Sequence, residues 1–304
     1  MLKALAAALI AALLVPTTTY AQERVTLGFG RLFSNDGIGD GDDRWRTGSY
    51  TVSLLRGQRW SGTAPDQFGE LLEFRLGAET IAPANLLVPA ANDRRYAGIL
   101  TLGVNTHFAL AGGEARLGAA LAVLGPQSGI GSLQKSLHSL LGQTNPKASL
   151  DEQLGNQLIP TVSAEYGRDF ALGDRARLRP FAEAQAGIET FVRVGGDLTV
   201  GMFGAGALML RDTTTGQRYV GIRSVSGPAV SFTMGADVAR VFDTELLPKG
   251  GQVEASDTRT RLRAGLHWKG ETSEVFYGVT RLGKEFETQP EAQYLGSLNL
   301  SIRF

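Results

Sequence analysis

Two polar side chains on one face of a predicted helix have the types and spacing for acid–base chemistry. The helix is indicated over residues 125–142, "GPQSGIGSLQKSLHSLLG", where glycines punctuate the start and Gly142 is placed to cap the end. Gln134 and His138 are four residues apart, so they can point at the same place. A neutral imidazole can accept a proton near neutral pH. The helix alone leaves open the ordinary alternative, in which His138 is a solvated or hydrogen-bonded structural residue.

A second candidate is the acidic segment "FSNDGIGDGDDRWRTG". It contains, in order, Asn35, Asp36, Asp40, Asp42, Asp43, Arg44 and Thr47. Clustered acids on glycine-rich backbone are typical of oxygen-ligand sites for calcium, although the spacing is not that of an EF-hand. On these residues alone, a cation site and a solvated acidic loop remain alternatives. Three other polar features are interpreted as structural: an Asp93–Arg94 pair, His107 and His267.

The N-terminus predicts export. Lys3 precedes an apolar stretch, "ALAAALIAALLV", and Thr19-Tyr20-Ala21 resembles a cleavage site that ends in small residues. The stretch is shorter than the about 20 residues that a membrane-spanning helix needs. We therefore expect residues 1–21 to be a removed signal peptide and residues 22–304 to form a single domain.

Composition narrows the classes further. The chain has no cysteine, so an exported protein of this length must rely on a large core or a closed sheet. Its 30 Lys and Arg balance 30 Asp and Glu, which gives no support to a nucleic-acid partner. A mean hydropathy near zero suits a soluble protein and equally a transmembrane barrel, whose strands alternate in polarity.

The two-residue alternation of apolar and polar side chains favours the transmembrane barrel over a soluble protein. The C-terminal "YLGSLNLSIRF" alternates cleanly and ends on Phe304, as the closing strand of bacterial outer-membrane barrels does. Similar runs are about 11–15 residues long, which suits tilted membrane strands better than soluble ones. Several polar faces carry charge, among them Arg193, Asp197, Arg261 and Arg263, as a wet lumen allows. Because backbone in lipid must be satisfied without water, the sheet has to close.

The predicted fold is thus all-β: a transmembrane antiparallel up-and-down β-barrel of about 12 strands, with one short helix in an outer loop. The strand-like runs are near 23–33, 47–57, 68–80, 95–109, 113–124, 158–170, 176–189, 191–204, 227–243, 256–269, 272–286 and 291–304. With both termini in the periplasm, segments 34–46, 81–94 and 125–157 share the outer side. Segment 205–226 is then a long inner connection, which is unusual for this architecture.

Three blocks together resemble the outer-membrane lipid A 3′-O-deacylase family. They are "SND" followed by "DDRWRTG", then "APA…NDRRYAG", then "LGPQSG…LQKSLHSLLG", in the family's order. The resemblance implies a 12-stranded barrel in the bacterial outer membrane that removes the 3′-linked acyloxyacyl group from lipid A. It also implies calcium dependence and a site between the barrel wall and a helix in an outer loop. The expected partner is lipid A or lipopolysaccharide in the outer leaflet, and the protein is expected to be a monomer.

By the same resemblance, His138 would be the base that activates water, and Gln134 matches the family's glutamine four residues before it. Asn35 and Asp36 would form or orient the Ca²⁺ site, and Thr47 would be a polar residue of the site. Two positions depart from the family. Thr144 stands where a characterised family member has an acid six residues after its catalytic histidine, so Asp151 or Glu152 would have to replace that acid. Arg46 stands where the family usually has an aromatic residue just before the threonine.

Two alternatives remain at the level of sequence. One is a non-catalytic outer-membrane barrel, either a small pore or a lipid-binding protein. The other is a different outer-membrane lipid esterase, such as a phospholipase or a 3-O-deacylase. A Ser-His-Asp triad is not indicated, because the chain offers no Gly-x-Ser-x-Gly elbow.

Overall fold

The computed structural model describes residues 23–142, 146–224, 227–251 and 253–302, and its main feature is a closed 12-strand antiparallel barrel. The predicted signal peptide, Thr144 and Phe304 lie outside the described residues. The barrel strands are β1 (Val25–Asn35), β2 (Trp45–Gly57), β3 (Leu71–Ala82), β4 (Ala97–Leu110), β5 (Gly113–Leu124), β6 (Gln157–Gly167), β8 (Ala176–Ala186), β9 (Glu189–Val200), β12 (Ala229–Thr244), β13 (Thr258–Lys269), β14 (Ser273–Leu282) and β15 (Gln293–Ile302). Three shorter strands complete the numbering: β7 (Phe170–Ala171), β10 (Leu208–Arg211) and β11 (Arg218–Ile222).

Each barrel strand pairs with its neighbours along the chain, and the first strand pairs with the last. The β1–β15 register is Phe33 with Leu298 through Asn35 with Gly296, and β6 pairs directly with β8 around the small strand β7. No described helix is long and apolar enough to cross a membrane. The up-and-down barrel predicted from the alternation is confirmed.

The barrel is apolar outside and charged inside. Lipid-facing side chains such as Leu102, Val194 and Leu262 are more than half exposed. The inward positions of the same strands hold buried charges, and Arg263 contacts Asp197 at 2.6 Å through Nη2. A buried ion pair adds little net stability over an apolar pair, but removing one partner costs about 3–5 kcal/mol. In this part of the lumen, mutually dependent charges replace an apolar core.

The two ends of the barrel differ. One end, here called the turn end, has short connections such as 111–112, where Ala111 and Gly112 both have positive φ, as a tight hairpin turn requires. The opposite end, the loop end, carries segments 36–44, 83–96 and 125–156. The last of these contains helices α1 (Ile130–Leu141) and α2 (Lys147–Asp151). The three segments expected to share one side of the barrel do so.

Segment 205–226, predicted from the sequence as a long inner connection, also contains two short strands. Its described residues form the β10–β11 hairpin, which lies inside the lumen. Leu208, Leu210 and Tyr219 are buried against the inward residues Leu55 and Leu71 of the wall. The Tyr219 hydroxyl lies 3.0 Å from Ser53 Oγ, also on the inner face. The hairpin folds back because burying its apolar residues in the barrel removes them from water.

Candidate functional site

The site begins where β1 ends and β2 starts. The Asn35 side chain spans this junction: its Oδ1 accepts from the Gly37 amide at 2.8 Å and its Nδ2 donates to the Thr47 carbonyl at 2.9 Å. Asn35 therefore caps the 3₁₀ turn Asp36–Ile38 and fixes the position of Thr47. Both polar atoms of its amide are used in this structural role.

Thr47 occupies a β-bulge. In the β2–β3 ladder Arg46 pairs with Ile81 and Gly48 pairs with Thr80, so Thr47 is the extra residue between them. A bulge re-aims a side chain next to regular pairing. Arg46 points into the lumen, whereas Thr47 is buried beside Asp43, whose pKa its hydroxyl lowers. Thr47 Oγ1 makes no well-aligned hydrogen bond with any described residue.

Helix α1 covers this bulge from outside the barrel. It starts after Gly129 (φ 75°) and ends at Gly142 (φ 66°), both in the left-handed conformation that glycine adopts readily. Gly98, on the outward face of β4, permits the close approach, since a Cβ there would lie 2.9 Å from the Ile130 Cβ. Tyr96 is buried under Gly131 of the same helix. The candidate site thus lies between the outer surface of the wall and α1.

His138 faces this interface. It is 6% exposed, and its Nε2 lies 3.4 Å from the Gln134 amide nitrogen and 3.5 Å from Asp43 Oδ2. With Nε2 unprotonated, the ring accepts from Gln134; with Nε2 protonated, it pairs with the Asp43 carboxylate. Nε2 of His138 therefore lies between a hydrogen-bond donor, the Gln134 amide, and an acceptor, the Asp43 carboxylate. The first stabilises the neutral imidazole and the second stabilises the imidazolium.

Two carboxyl groups give the site its electrostatic character. Burial, followed by repulsion from Asp43, raises the pKa of Asp36 to about 8. Burial also raises the pKa of Asp43, against the opposing effects of His138 and Thr47. Asp36 accepts from the Arg44 amide at 3.1 Å, which fixes its orientation. Two buried carboxylates that repel each other are stabilised when one is protonated or when a cation binds between them.

The donor atoms present fit an oxygen-loving cation. Three buried side-chain oxygens near His138 make no well-aligned hydrogen bond with the described residues: Asp43 Oδ1, Thr47 Oγ1 and Gln134 Oε1. Calcium accepts carboxylate, hydroxyl and amide oxygens together with water. Within the described residues no three His, Cys, Asp or Glu side chains are grouped tightly enough to hold a metal, so neutral oxygens and water would have to complete the coordination.

The structure brings together most of the residues that the sequence singled out. His138 contacts Gln134, and Asp43 links His138 to both Thr47 and Asp36. Asp43 is the residue that sequence reasoning missed in this role. The acidic run drew attention to it, but no spacing rule links positions 43 and 138. Asp151 and Glu152 are exposed at the end of α2.

Arg46 and Arg94 belong to a separate network across the loop end of the lumen. Arg46 binds Glu79 at 2.6 Å and Glu285 at 2.7 Å, and Arg94 binds Glu285 at 2.5 Å. The replacement of an aromatic residue by Arg46 therefore changes the lumen rather than the site. Asp93 and Arg94 do not pair through their side chains as expected, because Asp93 accepts instead from the Ala84 amide at 2.6 Å.

Comparison with known proteins identifies the family. The family model of the outer membrane protein LpxR matches residues 5–304. The solved structure of LpxR from Salmonella typhimurium superposes with a TM-score of 0.74 at 16% identity, covering 91% of this chain and 100% of that one. No curated protein sequence matches the chain significantly.

Two further solved barrels are similar only in outline. The β domain of the Bordetella autotransporter BrkA has a TM-score of 0.40 at 13% identity, covering 91% of this chain and 99% of that one. The translocator domain of the autotransporter NalP from Neisseria meningitidis has a TM-score of 0.40 at 10% identity, covering 99% and 94%. The match to the family model over nearly the whole sequence decides the assignment: the chain belongs to the LpxR family of outer-membrane lipid A deacylases and is a protein of the bacterial outer membrane.

Proposed function

We propose that the protein hydrolyses the 3′-linked acyloxyacyl ester of lipid A, with His138 as the base that activates water. The observation that carries the proposal is the placement of His138 Nε2, buried on the outer surface of the barrel wall beside a carboxylate. Lipid A resides in the same membrane as the barrel, so its ester can reach this surface without leaving the membrane.

The chain's own residues divide the work. His138 Nε2 takes the proton of the attacking water, and Asp43 stabilises the imidazolium that forms. Gln134 orients the ring from the preceding helical turn. Asn35 holds the backbone that carries Asp36 and Thr47 in place. Asp36 and Asp43, with the Thr47 hydroxyl and the Gln134 carbonyl, would hold a calcium ion, which when bound supplies positive charge for the developing oxyanion.

His138→Ala is the direct test. Purified protein is incubated with lipid A and calcium, and the products are identified by mass spectrometry. We expect release of the 3′-linked group to fall by at least about 100-fold, the lower end of what a general base contributes. Ser139→Ala, a change at an exposed residue of the same helix, is the matched control and should retain full activity.

Three outcomes would oppose the proposal in different ways. Retained activity in His138→Ala with the barrel folded removes this residue as the base. Activity that chelation leaves unchanged removes the calcium requirement. Release of a different acyl group by the unaltered protein would instead indicate another lipid esterase. Barrel folding is checked independently by the heat-dependent shift in electrophoretic mobility that closed barrels show.

A further inference from the structure

Helix α1 carries a row of leucines that the described protein leaves largely exposed. Leu133, Leu137 and Leu140 are 55%, 46% and 81% exposed. At about 100° per residue they fall within about 60° of one another around the helix axis. Adjacent exposed leucines form a patch, unlike single apolar residues scattered over a surface, and such a patch marks an interaction site.

The rest of the helix is divided into two other faces. Gln134 and His138 are buried towards the barrel wall. Ser132, Lys135, Ser136 and Ser139 are exposed and form a polar face on the other side. The helix therefore has a wall face, an apolar face and a polar face. A helix that lies in the plane of a membrane interface has the last two, with cationic residues on the polar side.

The position of α1 on the barrel identifies what covers the leucines. The helix packs at the outward row Gly48, Thr80 and Gly98, which the strand register aligns. The next outward row towards the turn end is Tyr50, Ala78 and Leu100, and the one after is Val52, Leu76 and Leu102. Leu76 and Leu102 are 43% and 53% exposed, so the apolar belt of the barrel begins directly beside the helix.

We infer that α1 inserts Leu133, Leu137 and Leu140 among the acyl chains of the surrounding leaflet, while Lys135 faces the anionic headgroups. The apolar edge continues the established lipid-facing surface of the barrel. Removal of this apolar area from water stabilises this position. The wall face that carries His138 then lies at the depth where headgroup and acyl chain meet. The inference concerns membrane contact and stands whether or not His138 hydrolyses an ester.

Single labelled cysteines test the inference cleanly, because the chain has no cysteine of its own. Leu137→Cys and Ser139→Cys lie on the apolar and polar faces of one helix, and Leu102→Cys in the belt is the positive control. Each variant carries an environment-sensitive fluorophore in phosphatidylcholine–phosphatidylglycerol vesicles. Quenching is measured with lipids that bear a nitroxide near the ester end of the acyl chain.

We expect the label at position 137 to be quenched at least about twice as strongly as the label at 139, as insertion of about 5–10 Å requires. Quenching at 137 should approach that at 102. Equal quenching at 137 and 139, or no quenching at 137, overturns the inference. If Leu137→Cys does not fold, Leu133→Cys gives the same comparison, since it lies on the same edge.

Discussion

Asp43 supplies the carboxylate that contacts His138, the proposed base, although it lies in a loop about a hundred residues away along the chain. Its Oδ2 is 3.5 Å from His138 Nε2, and its Oδ1 is buried without a hydrogen-bond partner among the described residues. Six residues after the histidine, where the resemblance to a characterised family member would place an acid, this chain has Thr144, which lies outside the described residues. A carboxylate delivered from the β1–β2 loop can serve the same electrostatic purpose, because the field of a charge does not depend on its place in the sequence.

Asp43→Asn should therefore lower activity while leaving the barrel intact. An amide keeps the shape but cannot stabilise the imidazolium or ligate a cation as an anion does. We expect kcat to fall about 10–100-fold, the usual cost of losing a group that supports a catalytic ligand or base. Asp42→Asn is the control, because the Asp42 side chain is 60% exposed and contacts Arg44 rather than His138. An unchanged kcat and pH profile in Asp43→Asn would mean that the contact has no role in catalysis.

Asp36 should make calcium binding depend on pH. Its carboxyl has a pKa of about 8, so below that value a proton competes with the cation. We expect the apparent Kd for calcium to fall by about ten-fold per pH unit as pH rises towards 8 and then to level off. Calorimetry in two buffers of different ionisation enthalpy measures the released proton. Asp36→Asn should weaken this dependence, because Asp36 no longer titrates, and a Kd of the unaltered protein that does not change with pH would contradict the assignment.

The raised pKa of Asp36 also makes the stability of the calcium-free protein depend on pH. Rising pH should strengthen calcium binding but weaken this stability. The carboxyl titrates near 3.8 in the unfolded chain and near 8 in the folded protein, so the folded protein binds more protons between these values. The free energy of unfolding of the cation-free protein therefore falls as pH rises through this window. Saturating calcium, which would hold this carboxyl deprotonated in the folded protein, should abolish the trend.

The sequence predicts which residues take part in the candidate site better than it predicts which of them are in contact. The Gln134–His138 pair follows from helical spacing, and the structure places both side chains on one buried face. The approach of Asp43 does not follow, since it depends on how two loops fold over the wall. Nor does the outward direction of Thr47, because a bulge shifts the alternation by one residue and leaves no compositional mark.

At the scale of elements, the distance between α1 and the wall sets the geometry of the site. Gly98 is the point of contact: a Cβ there would lie 2.9 Å from both the Ile130 Cβ and Ser128 Oγ, too close without movement. The absence of a side chain at position 98 therefore sets how closely α1, which carries His138, can approach the wall.

Gly98→Ala should push α1 outward and reduce activity without unfolding the barrel. A shift of some tenths of an ångström displaces the base, and a 1 Å error alone can cost about 100-fold, so we expect a loss of about 10-fold in kcat. Gly196→Ala on the outward face of β9 is the matched control, because the nearest atoms to its added Cβ lie at 3.9 Å. Equal activities of the two variants would show that the spacing between helix and wall is not limiting.

Strand boundaries were well predicted where alternation is long and uninterrupted, as in β5, where the predicted and observed ranges are both 113–124. The β10–β11 hairpin was not predicted as such. Its strands span only four and five residues, which is too short to show a period. Its buried residues include apolar ones, whereas many inward residues of the barrel wall are charged. Its burial depends on small inward residues of β1, Gly28 and Gly30, which contact it closely.

At the scale of the whole molecule, the lumen is obstructed twice. Towards the turn end the β10–β11 hairpin fills it, and Arg211 ties the hairpin to the wall through Glu165 at 3.1 Å and Asp197 at 2.9 Å. Towards the loop end, Arg46 crosses the lumen to carboxylates on three different segments. A cavity of about 140 Å³ remains between the two obstructions. The charges that suggested a small pore in the sequence are paired across the interior instead.

The protein should therefore not conduct ions, which opposes the pore alternative. Moving an ion through the lumen requires separating Arg46 from its partners or displacing the hairpin, and removing one partner from a buried ion pair costs about 3–5 kcal/mol. We expect planar bilayers with the folded protein to show no stable single-channel steps, whereas an open porin of similar strand number added to the same membranes does. Reproducible conductance steps from a folded, heat-modifiable sample would mean that the hairpin leaves the lumen. The interior would then be a path for ions and not only the structural support of a site that lies outside it.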